Sequence, residues 1–144
     1  MRSGAAAGAP PSADSTPTGW TPALEQRLIA AARAAAPFEA CGLLVRDAQG
    51  RFAVPQATNV ADDRRTGFEL DPACVLRWTS DPSADVLGSW HSHPEGPLWP
   101  SRADLAGASL GSWLAIVGRG PDRRWRVAFT RVPAAGRQSA SAAR

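Results

Sequence analysis

The chain has 144 residues, 44% of them apolar and 20% charged, which suits one domain with one sizeable core. Its two cysteines, Cys41 and Cys74, are too few for a disulfide framework, and neither sits in a C-x-x-C pair that would hold zinc through sulfur. No apolar run approaches the roughly 18–20 residues of a membrane span, and residues 1–19 hold no Leu, Ile, Val or Phe from which to build a secretory signal, so a cytoplasmic protein without a membrane partner is expected. The net charge of +3 hides an asymmetry: every basic residue is Arg, and seven of the 16 lie at or after Arg119 against Asp122 alone. That end suits an acidic partner, or reflects only an Ala- and Arg-rich composition; no nucleic-acid-binding motif accompanies it, so nucleic acid is not expected as a partner.

In chain order, residues 1–18 are mostly Ala, Gly, Pro, Ser and Thr, too polar and small to offset their own ordering entropy, and are expected to be a disordered tail. Residues 134–144 read the same way, leaving one domain over 19–133. Thr21-Pro22 is a helix start, with a capping residue followed by Pro at the first helical position. Leu24, Leu28, Ala31 and Ala32 recur at helical spacing, and Pro37 sets the end. Cys41 to Val45 reads as a buried strand, Asp47 to Gly50 as a turn, and Phe52 to Ala57 as the returning strand of a hairpin. Residues 59–67 are polar and predicted to be loop, and Pro72 to Trp78 a short helix. Val86 to His91 is predicted to be a strand running into a Pro- and Gly-rich loop, with a helix from Ser101 to about Leu110. Trp113 to Val117 and Trp125 to Arg131 complete the strands around the turn 118–122. Strands mixed with a few helices, without regular βαβ alternation, point to a mixed-sheet domain.

The chemistry concentrates in few residues. His91 and His93, the two histidines of the sequence, flank Ser92. Alternate residues of a strand face one side, so both imidazoles can address one divalent metal. Taken alone they also fit two surface histidines. Asp104 follows Ser101 by three at a predicted helix start, where it can be a third ligand, a capping-box acid, or both. Three protein ligands and one open position make the catalytic kind of zinc site. Glu39, between Pro37 and the strand from Cys41, is the candidate proton carrier; burial would raise its pKa toward that task, and an ordinary exposed loop acid is the other reading. Glu95, in the stretch Pro94-Glu95-Gly96-Pro97, reads as a rim residue.

Glu39, then His91-Ser92-His93, seven residues, Ser101, two residues and Asp104 together resemble the signature of the JAMM (MPN+/JAB) zinc metallopeptidases. Residues 37–44 resemble the family's segment around its glutamate, and 90–94 with 100–104 its metal loop; the likeness spans roughly residues 22–132. The resemblance implies a cytidine-deaminase-like α/β/α sandwich, with a curved mixed sheet flanked by helices. It implies one zinc ion per chain on His91, His93 and Asp104, with Glu39 moving the protons and Ser101 donating to the oxyanion of the tetrahedral intermediate. Ser92 and Pro94 would support the loop. With no long insertion after Asp104, the chain is similar to the short bacterial members. The implied partner is a protein or peptide, cleaved at a peptide, isopeptide or C-terminal amide bond, the tail of a ubiquitin-like sulfur-carrier protein among the candidates. A phage-tail-assembly-type peptidase and a non-catalytic binding module on the same fold are the alternatives. A nucleobase deaminase, suggested by the H-x-E of His93-Pro94-Glu95, lacks the P-C-x-x-C that class requires downstream.

Overall fold

The computed structural model describes residues 16–133; the tails expected over 1–18 and 134–144 lie, apart from residues 16–18, outside the described residues. Helix α1 (Pro22–Ala35) begins where the sequence places it: the Thr21 hydroxyl accepts the Leu24 N–H at 3.2 Å and Pro22 occupies the first turn, where its missing N–H costs nothing. One face of α1, carrying Leu24, Leu28, Ile29 and Ala32, is buried.

The strands are β1 (Cys41–Arg46), β2 (Phe52–Ala53), β3 (Gln56–Ala57), β4 (Asp85–His93), β5 (Trp113–Arg119) and β6 (Trp125–Arg131), with helices α2 (Pro72–Thr79) and α3 (Arg102–Ala106) in the connections. They form one sheet in the order β2-β1-β4-β5-β6, with β3 also pairing β1. Only β4 and β5 are parallel neighbours, and α3 lies in the crossover between them. The result is a mixed sheet with helices, in the α/β class expected.

Three expected elements differ in detail. The returning strand 52–57 is split, because Pro55 has no N–H for the ladder; its carbonyl accepts the Leu43 N–H at 3.0 Å and carries the chain from β2 to β3. The helix expected to reach Leu110 ends at Ala106, capped by Gly107. The strand expected to end at His91 runs on through His93, so both histidines lie inside β4.

The two faces of the sheet divide the work. Leu44 and Trp90, with Ala115, Val117 and Phe129, pack under α1 to form the apolar core. Their neighbours Leu43, Ser89, His91 and His93 point the other way, toward the side that carries α2, α3 and the segment 66–70. A close approach fixes β1 against β4: a Cβ on Gly42 would meet the Pro55 carbonyl oxygen at 2.2 Å and Trp90 Nε1 at 2.4 Å.

Candidate metal centre

Strand β4 is flanked by β1 and β5, and the pairings Cys41 to His91 and His93 to Gly118 hold both histidines in the middle of the sheet. Both are buried, at 0% and 1% exposure, and their Nε2 atoms lie 3.1 Å apart. Two ring nitrogens this close, shielded from water, need a shared proton or a cation between them. Phe68 stacks on His91, with ring centroids 4.2 Å apart and planes 20° apart. The Pro97 carbonyl oxygen lies 2.8 Å from His93 Nδ1. A proton on that nitrogen leaves the Nε2 lone pair facing inward, an outer hydrogen bond typical of a metal-binding imidazole.

Asp104 completes the group. Its Oδ2 lies 3.0 Å from His91 Nε2 and 3.2 Å from His93 Nε2. The same oxygen accepts the Ser101 N–H at 2.9 Å, while Ser101 Oγ accepts the Asp104 N–H at 3.0 Å. The capping box and the approach to the histidines, alternatives in the sequence, are both present: the box sets the carboxylate's direction and the histidines meet it. Burial works to raise the Asp104 pKa, but the two imidazoles and the Ser101 N–H prevail and hold the carboxyl well below the ordinary range, so it is ionised.

The donor triangle fits a small divalent ion. Its sides are 3.0, 3.1 and 3.2 Å. A tetrahedral zinc about 2.0–2.1 Å from each donor requires donors roughly 3.3 Å apart, and two neutral imidazoles with one carboxylate are a zinc donor set. Glu39 is a second carboxylate nearby: ligand atoms of Glu39, His91 and His93 lie within 4.8 Å of one another. Glu39 and Asp104 thus bring two carboxylates to the same pair of imidazoles.

Glu39 is 2% exposed and sits on the short link between α1 and β1. Two contacts fix that link, and a third anchors one of the partners. The Glu39 N–H donates to the Arg64 carbonyl at 2.7 Å, and Asn59 Nδ2 donates to the Glu39 carbonyl at 2.9 Å and to the Gly67 carbonyl at 3.1 Å. Next door, Ser92 Oγ accepts the Ala40 N–H at 2.8 Å, and the Ser92 N–H donates to the Ala40 carbonyl at 2.9 Å. Ser92, expected only to support the loop, thus ties the histidine strand to the glutamate's neighbour. Pro94 is buried directly after the strand, and Glu95 is exposed as a rim residue. Sequence reasoning missed Asn59, Arg64 and the stacking of Phe68, because a polar loop gives no periodicity from which to read such contacts.

A groove of about 420 Å³ runs along the centre, lined by Phe68, Ser89, Ser101, Asp104 and Leu114 among others. Two buried imidazoles on a mixed sheet, a part-buried carboxylate from α3 against them, a second acid beside them and a groove alongside define an α/β domain of the JAB/MPN type with a candidate metal centre. A family model described as prokaryotic homologs of the JAB domain matches residues 21–128, and the chain belongs to that family. It is 34% identical over 86 residues to the desampylase of Haloferax volcanii, a match covering 56% of this chain and 62% of that protein. Among solved structures it is similar to protein DSY2949 from Desulfitobacterium hafniense, with TM-score 0.56, 26% identity, and 76% and 85% of the two chains covered. A JAB1/MPN domain protein from Archaeoglobus fulgidus, AF2198, matches with TM-score 0.46 and 19% identity over 76% of this chain and 91% of that one. No helix among the described residues is long and apolar enough to cross a membrane.

Proposed function

We propose that the protein is a zinc-dependent hydrolase of a peptide, isopeptide or C-terminal amide bond, acting on the tail of a ubiquitin-like protein. The observation that carries this reading is the triangle of His91, His93 and Asp104 with the Glu39 carboxylate beside it. The relative named desampylase supports the substrate class, and the groove past Ser101 offers an extended tail a place to lie.

His91, His93 and Asp104 hold the ion. When bound, zinc supplies Lewis acidity, bringing the pKa of water to about 7 and polarising a carbonyl. Glu39, buried beside the two imidazoles, takes the proton of the attacking water and returns it to the leaving amine. Ser101 Oγ already accepts the Asp104 N–H, so its own O–H is available to donate to the oxygen that gains charge as the carbonyl becomes tetrahedral. The Ser101 side therefore takes the acyl half of the substrate, and the Glu39 side the amine half.

A chelation experiment tests the reading. Purified chain with zinc is expected to cleave an amide fused to a ubiquitin-like C-terminus, to lose that activity on removal of zinc and to regain it on zinc return. Failure to cleave any such fusion or adduct with zinc bound would contradict it.

A further inference from the structure

A second groove, of about 570 Å³, opens on the Glu39 side. Phe38, Glu39, Gln56, Asn59 and Arg64 contribute to its lining. Phe38 is 38% exposed, although it precedes a carboxylate that is 2% exposed. The Arg64 guanidinium carbon lies 4.8 Å from the centre of the Phe38 ring, a cation–π contact, and the Arg65 guanidinium carbon lies farther from the same ring, at 5.8 Å. The Arg64 carbonyl is the acceptor for the Glu39 N–H, so this cation and the proposed proton carrier are fastened to the same stretch of backbone. Arg64 forms no ion pair with a carboxylate among the described residues. Its neighbour Asp63 is turned into its own loop, accepting the Thr66 hydroxyl and the Arg65 N–H. An exposed guanidinium resting on an aromatic ring at the edge of a groove can receive a carboxylate through two parallel hydrogen bonds.

We infer that Arg64, braced by Phe38, binds a carboxylate carried by the leaving amine, and so sets which amides the enzyme takes. The inference rests on the hydrolase reading, because the amine half falls in this groove only if Glu39 delivers its proton. In the balanced reaction water adds to the acyl carbon, the C–N bond breaks, and the proton that Glu39 took from the water passes to the departing nitrogen. The amine then leaves with its carboxylate still against Arg64. Two amines have this chemistry: a free amino acid with its α-carboxylate, and a lysine of a protein with an acidic residue beside it. Arg64 acts here as a specificity-determining residue.

Equilibrium binding to the zinc-loaded Glu39→Gln protein tests this without requiring turnover. One pair of fluorescent peptides ends in Gly-Gly-Ala, as the free carboxylate and as the carboxamide. A second pair joins Gly-Gly to a lysine ε-amine flanked by Glu or by Gln. The carboxylate member is expected to bind about tenfold tighter in at least one pair, and the pair showing the gap identifies the source. The gap should close in an added Arg64→Ala substitution, persist in part in Arg64→Lys, and survive Arg65→Ala. Equal affinities within both pairs, no measurable binding of any peptide, or a gap that survives Arg64→Ala would overturn the inference. Turnover by the protein with Glu39 intact is scored separately: its absence would count against the hydrolase reading and leave a measured affinity difference standing.

Discussion

Ser92 and Cys41 show how single side chains beside the centre act through the backbone. Ser92 faces the core side of β4, yet its hydroxyl accepts the buried Ala40 N–H, one residue from Glu39. Ser92→Ala leaves that N–H without its acceptor and is expected to cost about 1–3 kcal/mol in urea unfolding. It should also lower turnover more than zinc content, since the donor triangle does not include Ser92. Cys41, fully buried beside His91 in the sheet, has its thiol pushed up to about 12, chiefly by burial and then by the nearby Cys74 and Glu39. The folded state therefore holds that proton more tightly than the unfolded chain, which releases it near 9.0. Stability is complete below about pH 9 and falls as pH rises toward about 12. The sequence contains no Lys and no Tyr, so cysteines are the side chains whose ordinary pKa lies in that window. Urea midpoints measured from neutral to strongly alkaline pH should fall steeply in the natural sequence and more gently in Cys41→Ala. An equal decline in both would show that Cys41 does not carry the effect.

Among the elements, α1, β1, β5 and β6 were legible because each writes a physical rule into consecutive residues. Thr21-Pro22 starts α1, its apolar spacing gives the buried stripe, and the run from Cys41 is buried on both faces of a central strand. The meeting of His91, His93 and Asp104 was legible only in part: strand spacing puts both histidines on one face, while the acid at a capping position left two readings open until its carboxylate was seen against the imidazoles. The middle of the hairpin and the length of α3 were not legible. A proline in an apolar run reads as a weak strand, and only the pairing with β1 reveals how Pro55 divides it. For α3, the helix stops at Ala106 with Gly107 as its C-cap, earlier than its polar-apolar pattern suggested. The loop contacts of Asn59 and Arg64 join residues distant from Glu39 in sequence, which no local rule encodes. At this scale Gly42 is the sharpest test of how β1 sits on β4. A methyl group there would overlap the Pro55 carbonyl and the Trp90 indole, so Gly42→Ala is expected to destabilise by about 1–3 kcal/mol or more, read as a lowered melting temperature. Unchanged melting would mean that the hairpin moves freely.

Across the whole molecule, one sheet keeps stability and chemistry on opposite faces. The α1 side holds the apolar core, so the α2 and α3 side is free to hold two buried imidazoles and two carboxylates, groups that weaken a fold unless they are paired or bind a cation. The basic asymmetry of the sequence has a place in this plan: Arg119, Arg123, Arg124 and Arg126 cluster at the β5–β6 turn, with Asp122 taking Arg126 and Arg124. That turn lies at the end of the sheet where His93 pairs with Gly118, the same end as the donor triangle. Metal content and turnover measured together on the purified protein and on its Glu39→Gln, His91→Ala and Asp104→Ala variants test the central claim most directly. The expected result is one zinc per chain in the natural sequence and in Glu39→Gln, with turnover lost by about 10²–10⁴-fold in the latter, and zinc lost in the other two. A natural chain that binds no zinc, or a Glu39→Gln variant that loses it while Asp104→Ala keeps it, would contradict the assignment.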